Sequence, residues 1–246
     1  MSRLKLTVAY DGSAFAGWQS QTHRKTIQDE LERAIHRISG AQVRVHGAGR
    51  TDTGVHALAQ CAHVDLPDRR LAAPRWVSAL NGVLPAAIRV LRCRYVARDF
   101  HARFSAKGKT YRYRIWAGPI LPPLELNRVW HITAPFDLNL LGVTGERFVG
   151  THDFAAFGAN RGRQEENTVR TIRSLRVRGR APSISIEITG DGFLYKMVRL
   201  MVGAMMQVAF KKADIAEIEE SLRNGRASRG RFAAAAEGLY LMKVWY

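Results

Sequence analysis

The apolar residues of this 246-residue chain change period repeatedly, from two to three-and-four and back, and that alternation limits the possible folds more than any other feature. Leu4, Leu6, Val8 and Tyr10 alternate with Arg3, Lys5, Thr7 and Ala9 ahead of an Asp11-Gly12 turn pair, the pattern of a half-buried strand. Thr26 then stands where a helix N-cap belongs. Ile27, Leu31, Ala34, Ile35 and Ile38 recur at helical spacing, and Gly40 supplies a stop. Strands are expected at 43–46, 58–64 and 88–96, with a helix over 74–83 that carries proline in its first turn. The second half repeats the mixture. A strand at 109–116 precedes a connection marked by Pro119, Pro122, Pro123 and Pro135, and then a helix over 138–149. Residues 160–167 read as a mobile surface loop, 168–178 and 183–189 as a hairpin, 194–210 and 214–222 as helices, and 239–246 as a terminal strand. The class implied is α+β, as two α/β-sandwich-like subdomains with mixed, mainly antiparallel sheets, residues 1–105 and 106–246. The strand at 109–116 could serve either half.

Composition narrows the function. Lys and Arg number 38 against 21 Asp and Glu, leaving a net charge of +17 spread along the whole length. A folded surface of that sign attracts polyanions, of which nucleic acid is the commonest. The alternative is a generally basic, arginine-rich protein. Two cysteines, Cys61 and Cys93, allow no disulfide framework or four-cysteine zinc site, and the histidines are scattered, so no metal is expected. Residues 1–10 lack the pattern of a signal peptide, and no uncharged apolar run approaches the length of a membrane span. A cytoplasmic protein without a membrane segment is expected. No GxxxxGK[ST] loop, dinucleotide fingerprint or GxSxG elbow occurs, which disfavours nucleotide cofactors and serine hydrolysis.

Residues 47–57, GAGRTDTGVHA, place Asp52 between two threonines, with Arg50 two residues before it and glycines at 47, 49 and 54. Glycine permits positive φ and close approach to a ligand, so this reads as a shaped strand-loop-strand connection presenting Arg50, Asp52 and His56. An isolated Asp in a turn commonly just bonds its own backbone. The neighbouring cation and glycines argue for more. Arg199, in GFLYKMVR, is flanked by Phe193, Leu194, Met197 and Val198. It either faces inward and needs an anion, or snorkels to water. In KTYRYRIW, Tyr111 and Tyr113 form an aromatic face opposite Arg112 and Arg114. That face is either core or a stacking platform for nucleic acid.

These segments together resemble the TruA-type tRNA pseudouridine synthases. The resemblance rests on YDGSAFAGWQSQ, GAGRTDTGVHA, KGKTYRYRI, FVGTHDFAAF, GDGFLYKMVRLMVG and GLYLMKVWY, in that order. It implies isomerisation of uridine to pseudouridine at positions 38, 39 and 40 of the tRNA anticodon stem-loop, without metal or organic cofactor. The expected architecture has two subdomains around a central basic cleft, in a homodimer whose tRNA touches both subunits. Carried over by motif, Asp52 is the catalytic nucleophile, Arg50 assists displacement of the target base, and Arg199 pairs with the catalytic carboxylate. Tyr111, Leu194 and Met197 line the uracil pocket. One departure stands out: Ala235 replaces a proline usual before the terminal GLYL block.

The chemistry suits those residues. Breaking the bond from ribose C1′ to uracil N1 and joining C1′ to C5 calls for an ionised carboxylate, whether it attacks C1′, assists glycal formation or adds to the ring. A stacked uridine must be turned out first. Arg24, Lys25, Arg161, Arg163, Lys196 and Arg199 are candidate phosphate contacts. A non-catalytic RNA-binding protein or a DNA-binding one would share the charge but leave the glycine-framed Asp52 without a purpose.

Overall fold

The computed structural model of the chain describes residues 1–68, 71–159, 167–227, 230 and 232–246. Arg161, Arg163 and the rest of 160–166 lie outside the described residues. In chain order the elements are β1 (Ser2–Tyr10), α1 (Ile27–Ser39), β2 (His46–Gly47), β3 (His56–Leu66), α2 (Ala73–Val83), β4 (Ile88–Val96), β5 (Gly108–Ala117), β6 (Trp130–Ile132), α3 (Leu138–Glu146), β7 (Gly150–Asp153), β8 (Val169–Arg180), β9 (Ser183–Gly190), α4 (Met197–Ala209), α5 (Ile215–Asn224) and β10 (Leu239–Trp245). The pairing is mostly antiparallel, in keeping with the α+β class. The chain forms two compact units: Met1–Lys107 with Tyr240–Tyr246, and Gly108–Leu239.

In the first unit β1 lies between β3 and β4, antiparallel to both, so that Leu4 faces Val64 and Tyr95 and Leu6 faces Ala62 and Cys93. The period-two pattern of β1 follows from this position: Leu4, Leu6 and Val8 are fully buried while their neighbours are not. The same core holds Ile27, Leu31 and Ile35 of α1 with Trp76 and Leu80 of α2. Thr26 caps α1 by accepting from the Asp29 N–H, and Gly40 closes it at φ +71. Asn81 of α2 braces β4 by bonding both backbone groups of Val90, at 2.8 and 2.9 Å. Where β10 runs parallel to β3, Tyr240 stands beside His56. A smaller cluster of Ala48, Cys61 and Ala102, with Phe100, Val244 and Tyr246 against it, forms a second apolar layer in this unit. Both cysteine thiols are pushed up by burial, Cys93 to about 12.

In the second unit β9 pairs antiparallel with β5 and β8, β8 with β7, and the short β6 runs parallel to β5. Ile184, Ile186 and Ile188 of β9 are buried with Tyr113 and Ile115 of β5. Helix α4 is apolar nearly all round and accordingly almost wholly buried. Asp214 and Glu217 form a reciprocal capping box at the start of α5.

The structure corrects several expectations. The strand expected at 43–46 is His46–Gly47, because only those residues pair with β3. The helix over 138–149 ends at Glu146, and Phe148 continues only as a turn onto Gly145 O. The helix expected from 194 begins at Met197, since Lys196 takes φ +59 and breaks the helical run. Strands β6 and β7 were not anticipated. The cationic face of β5 is largely neutralised: Arg112 pairs with Glu187 at 3.0 Å and Arg114 with Glu125 at 2.8 Å. Tyr113 is core, with its hydroxyl donating to Ala235 O at 2.7 Å.

Candidate active site

Asp52 lies in the tight connection from β2 to β3, half-buried, with Thr51 buried before it and Arg50 exposed two residues earlier. The connection folds on itself where the Val55 N–H donates to Asp52 O at 3.1 Å, with Gly54 at φ +80. A second loop, residues 11–20, grips it. The Thr51 hydroxyl bonds the Tyr10 hydroxyl at 2.8 Å, and Thr51 O accepts from the Trp18 N–H at 3.1 Å. Burial holds the Tyr10 phenol neutral by raising it well above its ordinary value. Gly17, at φ +92, lies so close that a Cβ there would stand 2.5 Å from Thr51 O and 3.0 Å from the Asp52 carbonyl carbon. A Cβ on Gly47 would strike the Trp18 indole at 2.5 Å. These contacts explain two glycines by near approach of backbone and ring.

The flanking polar groups are also placed. Arg50 Nε donates to Gln19 Oε1 at 2.9 Å, which aims the guanidinium stem from a residue of the gripping loop. Gln60 Nε2 donates to Gly49 O at 2.8 Å. His56 is buried and stacks on Tyr240 at 4.6 Å, and its Nδ1 accepts the Gly12 N–H at 3.1 Å. The Asp11 carboxylate stands 3.3 Å from the same Nδ1.

In the second unit Tyr111 is buried on β5 and meets the edge of Phe193 at 5.0 Å and 80°. Phe193 and Leu194 belong to the turn that leads into α4, where the Met197 N–H donates to Leu194 O at 3.1 Å. Tyr111 on β5, Leu194 in this turn and Met197 at the start of α4 are all largely buried. Arg199, in the first turn of α4, is partly buried. Its Nε donates to Ala234 O at 2.7 Å, and its own carbonyl accepts from the Ala234 N–H at 3.0 Å. The segment in which Ala235 replaces the usual proline is therefore tied to Arg199 from both sides. The charge of Arg199 also acts on Tyr113, whose phenol burial nonetheless keeps neutral. Gly17, Trp18 and Gln19 enter the site without a local pattern in the sequence that marks them. Their only signal was membership of the same quoted blocks. Among the described residues, no three His, Cys, Asp or Glu side chains converge as a metal centre requires.

Comparison with known proteins shows the family. A family model described as tRNA pseudouridine synthase matches residues 6–105 and 146–246. A relative from Akkermansia muciniphila, named tRNA pseudouridine synthase A, is 44% identical over 253 residues, covering 100% of this chain and 96% of its own length. Relatives of the same name from Acetivibrio thermocellus and Solidesulfovibrio magneticus are 40% and 43% identical, each covering 100% of this chain, with 100% and 92% of their own lengths matched. Because the family model spans most of the chain and these relatives match its whole length at 40–44% identity, the chain belongs to the tRNA pseudouridine synthase family.

Proposed function

We propose that this enzyme converts uridine to pseudouridine at positions 38, 39 and 40 of the tRNA anticodon stem-loop, with Asp52 as nucleophile. Pseudouridine synthesis in tRNA is the activity that family membership supports; the positions and the residue roles are carried over from motif resemblance. The observation that supports Asp52 most is its setting, a half-buried carboxylate in a connection held by Tyr10, Gly17 and Trp18. A turn that only joined two strands would not need a second loop pressed against it.

In this reading the target nucleotide leaves the stack at a cost of a few kcal/mol. Arg50, exposed and steered by Gln19, enters the vacated space and meets phosphate. Tyr111, together with Leu194 and Met197, holds the freed uracil so that the base turns without escaping. Asp52 assists departure of N1 from C1′, C1′ then joins C5, and the isomerisation balances as C5 loses a proton and N1 gains one. Arg199 pairs with the Asp52 carboxylate and keeps it ionised as solvent is expelled. The enzyme works as a cytoplasmic homodimer and uses neither metal nor organic cofactor, as the resemblance implies.

Asp52→Asn keeps the side-chain volume and removes the nucleophile. Tritium release from tRNA labelled at uracil C5 should vanish, while tRNA affinity stays within about tenfold of the unsubstituted enzyme. Ordinary product yield from this variant would refute the assignment.

A further inference from the structure

In the first unit, the odd-numbered residues of β1 place cations where the even-numbered ones place core. Strand register sets Lys5 directly opposite Arg94 of β4, and Thr7 opposite Arg92. Like charges directly across a ladder destabilise a sheet, so this arrangement carries a standing repulsion. Among the described residues no carboxylate pairs with Lys5, Arg92 or Arg94. The Lys5 ammonium is fixed over two rings, 3.7 Å from the centroid of Tyr246 and 4.7 Å from that of Phe100. Stacking of this kind holds a flexible side chain in place before any ligand arrives. Lys5, Thr7, Arg92 and Arg94 line a cavity of about 700 Å³, with Tyr95 and Phe100 among its apolar walls.

From this we propose that the cavity is a second RNA site, a clamp for the phosphodiester backbone of the substrate tRNA away from the reacting nucleotide. It rests on the functional reading above for tRNA being the polyanion. Thr7 pairs with Cys61, and β3 begins five residues earlier at His56. At about 3.3 Å per residue the clamp lies roughly 17 Å along β3 from the end of the Asp52 loop. It therefore engages a different part of the RNA. A second copy of the chain fits less well. A two-fold interface here would press this cationic patch against a second cationic patch of the same make-up.

The test is binding of full-length tRNA between 50 and 200 mM salt. With Arg92→Gln and Arg94→Gln combined, affinity at 100 mM should fall about tenfold, and the slope of log K against log salt should shrink by about 1.5. Arg92→Lys with Arg94→Lys should restore both. A control of equal charge change, Arg178→Gln with Arg180→Gln on exposed β8 positions, should move the slope less. Equal loss in both double variants would reduce the effect to net charge and overturn the clamp. Hydrogen exchange of β4 should slow with tRNA and not with millimolar uridine monophosphate or inorganic phosphate. Protection by the small anions alone would assign the cavity to a free nucleotide or phosphate instead. Protection that disappears on dilution without RNA would make it a contact between copies. None of these readouts uses turnover, so an enzyme that binds tRNA here yet forms no pseudouridine would sink the catalytic reading and leave the clamp standing.

Discussion

At the scale of single residues, glycine is the most informative side chain in the site because its role depends on what touches it. Gly17 and Gly40 both take positive φ, at +92 and +71. A Cβ on Gly40 would meet nothing within 4 Å, whereas on Gly17 it would run into the backbone of Thr51 and Asp52. Gly40→Ala therefore carries only backbone strain, about 1 kcal/mol in urea unfolding. Gly17→Ala adds a collision with an immovable carbonyl and should cost about 2–4 kcal/mol. Because relief requires the Asp52 loop to shift, turnover should fall at least about tenfold as well. Similar behaviour of the two variants would show that the 11–20 loop does not hold the Asp52 connection. The density of glycine around Asp52 was legible in the sequence. Which glycine lies under which carbonyl was not, because Gly17 and Thr51 meet only after β1 and β3 have paired.

Strand β3 carries the clearest coupling between an element and pH. His63 on β3 stacks on His46 of β2 at 5.0 Å and meets the edge of His101 at 4.6 Å, and its Nδ1 accepts the Ala102 N–H at 3.1 Å. Burial, then the charges of Arg3, His101 and His46, bring His63 down from 6.5 to about 4, with Asp65 opposing. A histidine depressed in the folded state binds its proton more readily when unfolded, so stability is full above pH 6.5 and is lost as pH falls toward 4. The loss from pH 7 to 4.5 should be about 2 kcal/mol, read from urea midpoints at the two values. His63→Asn, which keeps an acceptor for Ala102, should flatten that difference; an unchanged pH slope would place the acid sensitivity elsewhere. Elements differ in how far the sequence disclosed them. Helices α1 and α5 were legible because Thr26, Gly40 and Asp214 act within one turn of the residues they cap. Strands β6 and β7 span only three and four residues, and their identity comes from partners on β5 and β8, to which local periodicity is blind.

For the whole molecule, a net charge of +17 predicts a polyanionic partner but does not say which cations meet it. The structure sorts them by their company. Arg112 and Arg114 lie on the strand that reads as the most RNA-like by composition, yet each holds a carboxylate, Glu187 and Glu125. Exposed pairs of this kind contribute little to stability, about 0–1 kcal/mol, but they neutralise the local field. A phosphate approaching Arg112 would have to displace or tolerate Glu187, whereas one approaching Arg92 and Arg94 meets cations already repelling their neighbour Lys5. Removing the paired cations should thus change little the number of counterions released on binding. Arg112→Gln with Arg114→Gln should leave the salt slope of tRNA affinity within about 0.5 of the unsubstituted enzyme, against a slope change near 1.5 for the β4 pair, although both double variants lower the formal charge equally. A drop for the β5 pair as large as that for the β4 pair would mean that total charge governs binding and that local ion pairing does not.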